Sequence, residues 1–195
     1  MPRKLHKPLV IKFGSAAVTK PDGGIDKARI RRFSNEIADI HATGKPIVLV
    51  SSGAIHSART MVDWNKSNEA SLSELQALSS VGQVELMSFY KNVFAKKNIT
   101  VAQVLVTHDD LRNYTRYYNL QNTISNKKKK NIIPIINEND AVSFEEISLG
   151  DNDQLAAMIC ENSSASHLIM LTESNGLYDK DPKAKDAQKI DFVAF

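Results

Sequence analysis

The chain has 195 residues, of which 42% are hydrophobic and 24% are charged, a composition typical of a globular protein with a buried core. Its net charge of +3 is small and spread along the chain, which gives no indication of nucleic-acid binding, and no apolar run approaches the ~18 residues of a transmembrane helix. The single cysteine, Cys160, excludes an internal disulfide and, together with a short polar N-terminus, predicts a cytoplasmic protein.

Short apolar runs and the amphipathic segments between them define the predicted fold. The runs are continuous rather than alternating, a pattern typical of parallel strands covered on both faces, and they lie at residues 9–11, 47–50, 101–106, 132–136 and 168–171. Helical spacing of apolar residues predicts helices over residues 30–40, 72–94 and 109–124, and another through Leu155 and Ala156. This alternation predicts a three-layer α/β/α sandwich with a mainly parallel open sheet. Residues 143–148 are the exception and fit a short extra strand or a flap.

Small, polar or charged residues follow four of the predicted strands. These segments are residues 12–16, 51–54, 137–140 and 172–176. In an open parallel sheet, ligands bind at the carboxyl ends of the strands. We therefore expect the four segments to form one site.

Single residues at these strand ends leave alternatives open. Gly14 and Gly53 fit a tight strand-to-helix turn and an anion-binding loop about equally well. Neither belongs to a dinucleotide-binding fingerprint or a Walker A loop. Lys12, at the end of a central apolar strand, favours contact with Asp140, Asp153 or a bound phosphate over a side chain that extends into solvent at the sheet edge.

Two segments rich in carboxylates and amides, residues 137–140 and 150–153, allow three interpretations. Clustered oxygens suit Mg²⁺ or Ca²⁺, although the spacing is not that of an EF-hand loop. Asp151 or Asn152 equally fits an N-cap of the following helix. The third interpretation is recognition of an amino acid, with Asp140 pairing with the ammonium group. The histidines and Cys160 show neither zinc-ligand spacing nor a catalytic triad, so no metal-ligating residues are predicted.

Taken together, these segments resemble the amino-acid kinase family, and the resemblance extends along nearly the whole chain. The matching segments, in order, are residues 10–15, 50–55, 81–83, 102–105, 134–142, 150–153 and 171–178. The most specific are PIINEND at residues 134–140 and GDND at residues 150–153, which resemble the family members that act on glutamate.

The resemblance implies ATP-dependent phosphorylation of the γ-carboxylate of L-glutamate to γ-glutamyl phosphate, the first step of proline biosynthesis. It also implies a homo-oligomer, proline as a feedback ligand, and Mg²⁺ that arrives bound to ATP. The residues at the family's functional positions are Lys12 and Asp153 for catalysis, Ser52, Gly53, Asn139, Asp140 and Asn152 for substrate binding, and Lys12, Gly14, Ser15, Thr172 and Glu173 for nucleotide binding.

The sequence departs from the family pattern at three places. Glu173 stands where the family usually has aspartate, which bears on the nucleotide contact. Residues 56–58 replace small and glycine residues at the mouth of the glutamate site, and Leu75 replaces a common lysine beside Gln76.

The resemblance also predicts the domain organisation. Residues 1–165 are expected to form the amino-acid-binding and catalytic lobe, and residues 166–195 an incomplete start of the ATP-binding lobe. Family members continue beyond the position of Phe195 into a glycine-rich loop with a second catalytic lysine, so we expect the 195-residue chain alone to be inactive. The alternative is a non-catalytic truncated paralogue that binds glutamate or proline or assembles with full-length subunits. No nucleic-acid or membrane partner is expected.

Overall fold

A computed structural model of the chain describes residues 7–20, 24–59, 61–62, 70–127, 131–143, 152–172, 174, 176–182 and 184–193. Its centre is a five-stranded sheet in the order β3-β4-β2-β1-β5, in which all four neighbouring pairs are parallel. The strands are β1 Leu9–Phe13, β2 Ile47–Ser51, β3 Thr100–Val106, β4 Ile132–Glu138 and β5 His167–Leu171. Because the strands are parallel, their carboxyl ends meet at one edge of the sheet.

Helices cover both faces of this sheet. Their bounds are α1 Ser15–Val18, α2 Lys27–Ala42, α3 Ala54–Ala58, α4 Leu72–Ala95, α5 His108–Arg112, α6 Tyr114–Lys127 and α7 Asn152–Asn162. On one face Ile11 and Phe13 of β1 pack with buried residues of α2 and α4, among them Ile30, Leu86 and Phe94. On the other face the alternate residues of β1 and β2 pack with α6 and α7, among them Val10, Val48, Ile124, Leu155 and Ile159. The predicted three-layer, mainly parallel fold is confirmed.

The two strands at the ends of the sheet are less covered than the sequence predicts. Leu105 of β3 is 36% exposed, and Ile169 and Met170 of β5 are 43% and 47% exposed. The prediction that every strand is covered on both faces is therefore wrong for β3 and β5. A continuous apolar run indicates that a segment favours a strand. It does not indicate whether that strand lies in the middle of the sheet or at its end, where it has a neighbouring strand on one side only.

The helix predicted over residues 109–124 is two helices, α5 and α6, separated at Asn113. Asn113 has extended backbone angles (φ −83°, ψ 118°) and ends α5. Its side-chain Oδ1 accepts a hydrogen bond from the backbone N–H of Arg116 at 3.1 Å, and its carbonyl accepts from Tyr117 N at 2.8 Å. Asn113 thus caps the start of α6. Its side chain bonds to the backbone as a cap, and this arrangement replaces the continuous helix predicted from the sequence.

A short antiparallel pair, β6 Leu177–Tyr178 and β7 Lys189–Ile190, follows the main sheet. Several sequence predictions lie wholly or largely outside the described residues: the extra strand or flap over residues 143–148, of which only Ser143 is described, Gly150 with Asp151, and Glu173. Among the helices that are described, none combines the length and apolarity needed to cross a lipid bilayer.

Candidate active site

Lys12 lies at the carboxyl end of β1 and is 6% exposed. Its Nζ forms an ion pair with Oδ1 of Asp153, the second residue of α7. Burial of an ammonium group is costly unless an anion meets it, and Asp153 supplies that anion. The Asp153 side chain is 42% exposed, so the pair is open to solvent on one side. A dissolved molecule can therefore reach the ion pair from the Asp153 side.

The end of β1 is joined to the end of β5 beside this lysine. Gly14 N donates to the carbonyl oxygen of Leu171 at 3.0 Å. A Cβ placed on Gly14 would lie 3.1 Å from Lys12 Nζ and 3.2 Å from Leu171 O, so a larger residue would crowd the ammonium. Ser15 begins α1, and Thr172 follows β5 as an exposed residue. Of the five predicted nucleotide-binding residues, Lys12, Gly14, Ser15 and Thr172 therefore lie at two neighbouring strand ends.

The turn after β2 places Ser52 and Gly53 against the end of β1. Ser52 N donates to Phe13 O at 3.1 Å. Gly53 has φ +107°, a left-handed conformation that other residues rarely adopt, and it immediately precedes α3. On one side of this turn the Ser52 hydroxyl meets Asn152 of α7, and on the other the carbonyl group of Ala54 lies against Gly82 of α4.

A continuous hydrogen-bonded path of buried polar side chains links α7, β2, β4 and α4. Asn152 Nδ2 donates to Ser52 Oγ at 2.7 Å and to Asn137 Oδ1 at 3.0 Å. Asn137 Nδ2 in turn donates to Gln83 Oε1 at 3.0 Å. None of these four residues is more than 8% exposed, and hydrogen bonds are stronger in such surroundings than in water. The path fixes the positions of two predicted substrate-binding residues, Ser52 and Asn152.

Asn139 and Asp140 follow β4 and lie apart from Lys12. In the strand order β4-β2-β1, two inter-strand steps separate β4 from β1, a distance of about 10 Å. Of the two predicted counter-charges, Lys12 therefore pairs with Asp153, while Asp140, which is 5% exposed, lines a small half-open cavity of about 30 Å³. The rest of the cavity wall includes Ala54 of α3 and Gln83 of α4.

A buried carboxylate anchors the loop that carries Asn139 and Asp140. Glu138 Oε1 accepts a hydrogen bond from Ser143 Oγ at 2.7 Å, and Oε2 lies 3.2 Å from His108 Nδ1. The side chains of Glu138 and His108 are 0% and 6% exposed. These contacts hold both ends of the loop against the start of α5.

Behind the β2 turn, the hydroxyl of Tyr90 lies 2.8 Å from Ser51 Oγ. Burial raises the pKa of Tyr90 well above its ordinary value, and the hydrogen bond with Ser51 opposes this only in part. Tyr90 is therefore a neutral support for the turn. In α3, burial lowers the pKa of His56, and the positive charge of Arg59 lowers it further, so His56 is neutral at pH 7.

Sequence analysis located the site at the strand ends but assigned no role to Gln83, Asn137, Glu138, Tyr90 or His108. Gln83 and Asn137 lie within segments that carry the family resemblance, and this was the available signal. In the described part of the chain, no three His, Cys, Asp or Glu side chains are grouped closely enough to hold a metal ion. The arrangement instead offers one buried cation, a shielded carboxylate in a cavity and several oriented amides, a set suited to binding anions and an amino acid.

Comparison with known proteins identifies related chains. The model of the amino acid kinase family matches residues 7–195. The glutamate 5-kinase of Thioalkalivibrio sulfidiphilus is 41% identical over 182 residues, which are 93% of this chain and 48% of that protein. The glutamate 5-kinases of Laribacter hongkongensis and a Marinomonas species are 43% and 41% identical, over 93% and 95% of this chain and 49% and 50% of theirs. The chain spans about half the length of these curated relatives.

Proposed function

Because the chain belongs to the amino acid kinase family, we propose that it carries the glutamate-binding and phosphoryl-transfer residues of an ATP-dependent kinase acting on the γ-carboxylate of L-glutamate. Family membership confirms the resemblance predicted from the motifs. The glutamate substrate is proposed from the relatives named glutamate 5-kinase. The proline pathway, proline feedback, a homo-oligomer, a cytoplasmic location and a lobe boundary near residue 165 belong to the same proposal and rest on the sequence resemblance.

The observation that carries the proposal is the buried Lys12–Asp153 ion pair at the carboxyl end of β1, open to solvent on the Asp153 side. Transfer of a phosphoryl group to a carboxylate brings two anions together, so the chemistry depends on positive charge and positioning. Lys12 supplies the charge, and Asp153 orients the ammonium. The neighbouring Gly14 leaves space beside Lys12 Nζ for phosphate oxygens.

The proposed reaction needs no general base. The γ-carboxylate of glutamate is ionised at neutral pH, since its pKa is near ~4.3. One of its oxygens attacks the γ-phosphorus of ATP, and a new O–P bond forms as the bond from phosphorus to the bridging oxygen breaks. ADP leaves with that electron pair, and no proton is transferred. Mg²⁺ would bind mainly to the ATP phosphates and neutralise their charge.

The spacing of the site fits an amino acid with two separated acidic ends. Asp140 lies in the cavity beside β4, and Lys12 lies two strands away, about 10 Å by strand spacing. An extended glutamate with a polar contact at each end spans a distance of this order. Its ammonium group would pair with Asp140, and its γ-carboxylate would point toward Lys12. Ser52 and Asn152, which lie between these positions in the fold, would contact the middle of the substrate.

Calorimetric titration of the chain with L-glutamate tests the proposal. Saturable binding is expected, and Asp140→Asn should weaken it at least about tenfold, because the substrate ammonium loses its charged partner. Asp109→Asn removes the same charge from an exposed position on α5 and should bind glutamate normally. Absence of saturable glutamate binding, or equal affinity in the two variants, would reject the proposal.

A further inference from the structure

Gln83 is a buried residue of α4 that lies beside the start of α3. It is 8% exposed and follows Gly82, where an added Cβ would lie 1.7 Å from the carbonyl oxygen of Ala54. The two helices are therefore in backbone contact at this point. Such close packing fixes the Gln83 side chain next to the turn that carries Ser52 and Gly53.

The path of hydrogen bonds sets the orientation of the Gln83 amide. Asn152 uses its NH₂ group as donor to Ser52 and Asn137, so Asn137 accepts through Oδ1 and donates through Nδ2. That NH₂ group donates to Gln83 Oε1. The oxygen of the Gln83 amide, Oε1, is therefore already engaged as an acceptor. The NH₂ group, Nε2, is the part of the amide that can donate to another molecule.

Gln83 is one of the residues that line a small cavity. Among the described residues, the one hydrogen bond of the Gln83 side chain is the bond accepted by Oε1. Gln83 lines the cavity of about 30 Å³ together with Asn139 and Asp140. Gln83 Nε2 is not one of the fully enclosed polar atoms, so it is accessible to a bound molecule. An oxygen of a ligand can therefore accept a hydrogen bond from it in place of water.

The size and charge of the cavity indicate which chemical groups a ligand would place there. A water molecule needs about 10–15 Å³ of such volume, so this cavity holds a small polar head group but not a whole amino acid. Two carboxylates of the described residues line the cavity, but the oxygens of Glu138 lie against Ser143 and His108. Asp140 therefore offers the negative charge to a ligand, and the Gln83 amide offers two N–H donors. These groups together match the ammonium and the α-carboxylate on the α-carbon of an amino acid.

We propose that Gln83 is a substrate-binding residue whose Nε2 donates to the α-carboxylate of the amino acid. This inference rests on the proposed function and adds to it the group that recognises the α-carboxylate. The buried path through Asn137 and Asn152 holds the donor in place.

The Gln83→Glu variant tests the proposal, because a carboxylate still accepts the Asn137 hydrogen bond but has no NH₂ group to donate. Binding to the chain is measured by calorimetry for L-glutamate, glutarate, which lacks the ammonium group, and 4-aminobutyrate, which lacks the α-carboxylate. We expect Gln83→Glu to weaken glutamate and glutarate at least tenfold and to leave 4-aminobutyrate within twofold. Asp140→Asn should give the opposite pattern, weakening glutamate and 4-aminobutyrate but not glutarate.

Gln103→Glu, at an exposed position of β3, controls for the added negative charge and should bind all three ligands normally. A nuclear magnetic resonance measurement on the unmutated chain avoids any folding defect of the variant. The side-chain ¹⁵NH₂ signal of Gln83 should shift when glutamate or glutarate binds and stay unchanged with 4-aminobutyrate. Normal glutamate affinity of Gln83→Glu, equal weakening of all three ligands, or an unmoved Gln83 signal would overturn the inference. Failure of the unmutated chain to bind glutamate would reject the proposed function itself.

Discussion

The side chain of Lys12 is only 8% exposed, and burial of its ammonium group lowers the stability of the fold because the charge loses its hydration. The ion pair with Asp153 compensates for this loss. Replacing a buried ion pair by apolar residues is nevertheless often neutral or stabilising in proteins. The residue at position 12 is therefore better explained by anion binding than by a contribution to folding.

This reasoning predicts that the two partners of the pair respond differently to mutation. Lys12→Met keeps the length of the side chain, and the half-exposed Asp153 is then hydrated, so the free energy of unfolding should change by less than about 1 kcal/mol. Asp153→Asn leaves a buried ammonium without its charged partner and should lower the free energy of unfolding by about 1–3 kcal/mol. Urea unfolding measures both values. A larger loss for Lys12→Met than for Asp153→Asn would assign the lysine a structural role.

The lowered pKa of His56 predicts a pH effect on stability. Since burial and Arg59 hold the folded-state pKa below the unfolded value near ~6.5, the unfolded chain binds more protons in the pH window just below that value. Stability should therefore fall as the pH falls through this window and should be unaffected by His56 above it.

Urea unfolding at pH 5.5 and pH 7.5 is the measurement, with His56→Gln as the test variant and His167→Gln, at an exposed position of β5, as the control. His56→Gln should lose less stability than the unmutated chain between the two pH values, whereas His167→Gln should behave like the unmutated chain. An unchanged pH dependence in His56→Gln would contradict the prediction.

At the scale of secondary-structure elements, the position of α3 depends on its contact with α4. Gly82→Ala would place a methyl group 1.7 Å from Ala54 O and 2.8 Å from Ala58 N, so the two helices must separate. Overpacking of a core costs about 1–3 kcal/mol, and contact with rigid backbone belongs at the upper end of that range. Urea unfolding should show this loss for Gly82→Ala and almost none for Ser88→Ala, on the exposed side of the same helix. Glutamate binding should weaken as well, because Gln83 and the Ser52 turn move with these helices.

The elements also show which features the sequence can reveal. Continuous apolar runs identified the five strands of the sheet, because β-branched residues in series favour a strand over a helix. The apolar spacing of this segment does not predict the break between α5 and α6, because the break depends on Asn113. The side chain of Asn113 acts as a helix cap only when its backbone is extended rather than helical. The extent of burial of β3 and β5 was missed because an apolar run carries no information about neighbouring layers.

The same distinction applies to the candidate site. The sequence names Asp153 as one of two candidate partners of Lys12, and the structure places the two in an ion pair. The rule that parallel strands end at one edge does not select Asp153, because it lies at the start of α7 and not at a strand end. The path from Asn152 to Gln83 depends on how α4 is aligned along β4, which the Gly82–Ala54 contact sets. Contacts of this kind lie beyond sequence periodicity, because they join residues of different elements that are 15 to 54 positions apart.

For the whole molecule, the distribution of charge predicts that the 195-residue chain binds glutamate but does not transfer phosphate to it. Lys12 is the one lysine that is buried among the described residues, and transfer between two anions needs positive charge on more than one side of the γ-phosphate. The chain also spans about half the length of the relatives named glutamate 5-kinase.

Purified chain incubated with ATP, Mg²⁺, L-glutamate and hydroxylamine should therefore form no γ-glutamyl hydroxamate, and ADP release should not depend on glutamate. Calorimetry on the same preparation should still show saturable glutamate binding, which separates an incomplete catalytic site from an unfolded chain or a wrong substrate. The Lys12→Ala variant distinguishes true turnover from a contaminating kinase, because only turnover by this chain depends on that lysine. Hydroxamate formed by the pure chain and lost in Lys12→Ala would show that the residues present suffice for catalysis. In that case a single buried lysine, with Mg²⁺ on the ATP phosphates, supplies enough positive charge for the transfer.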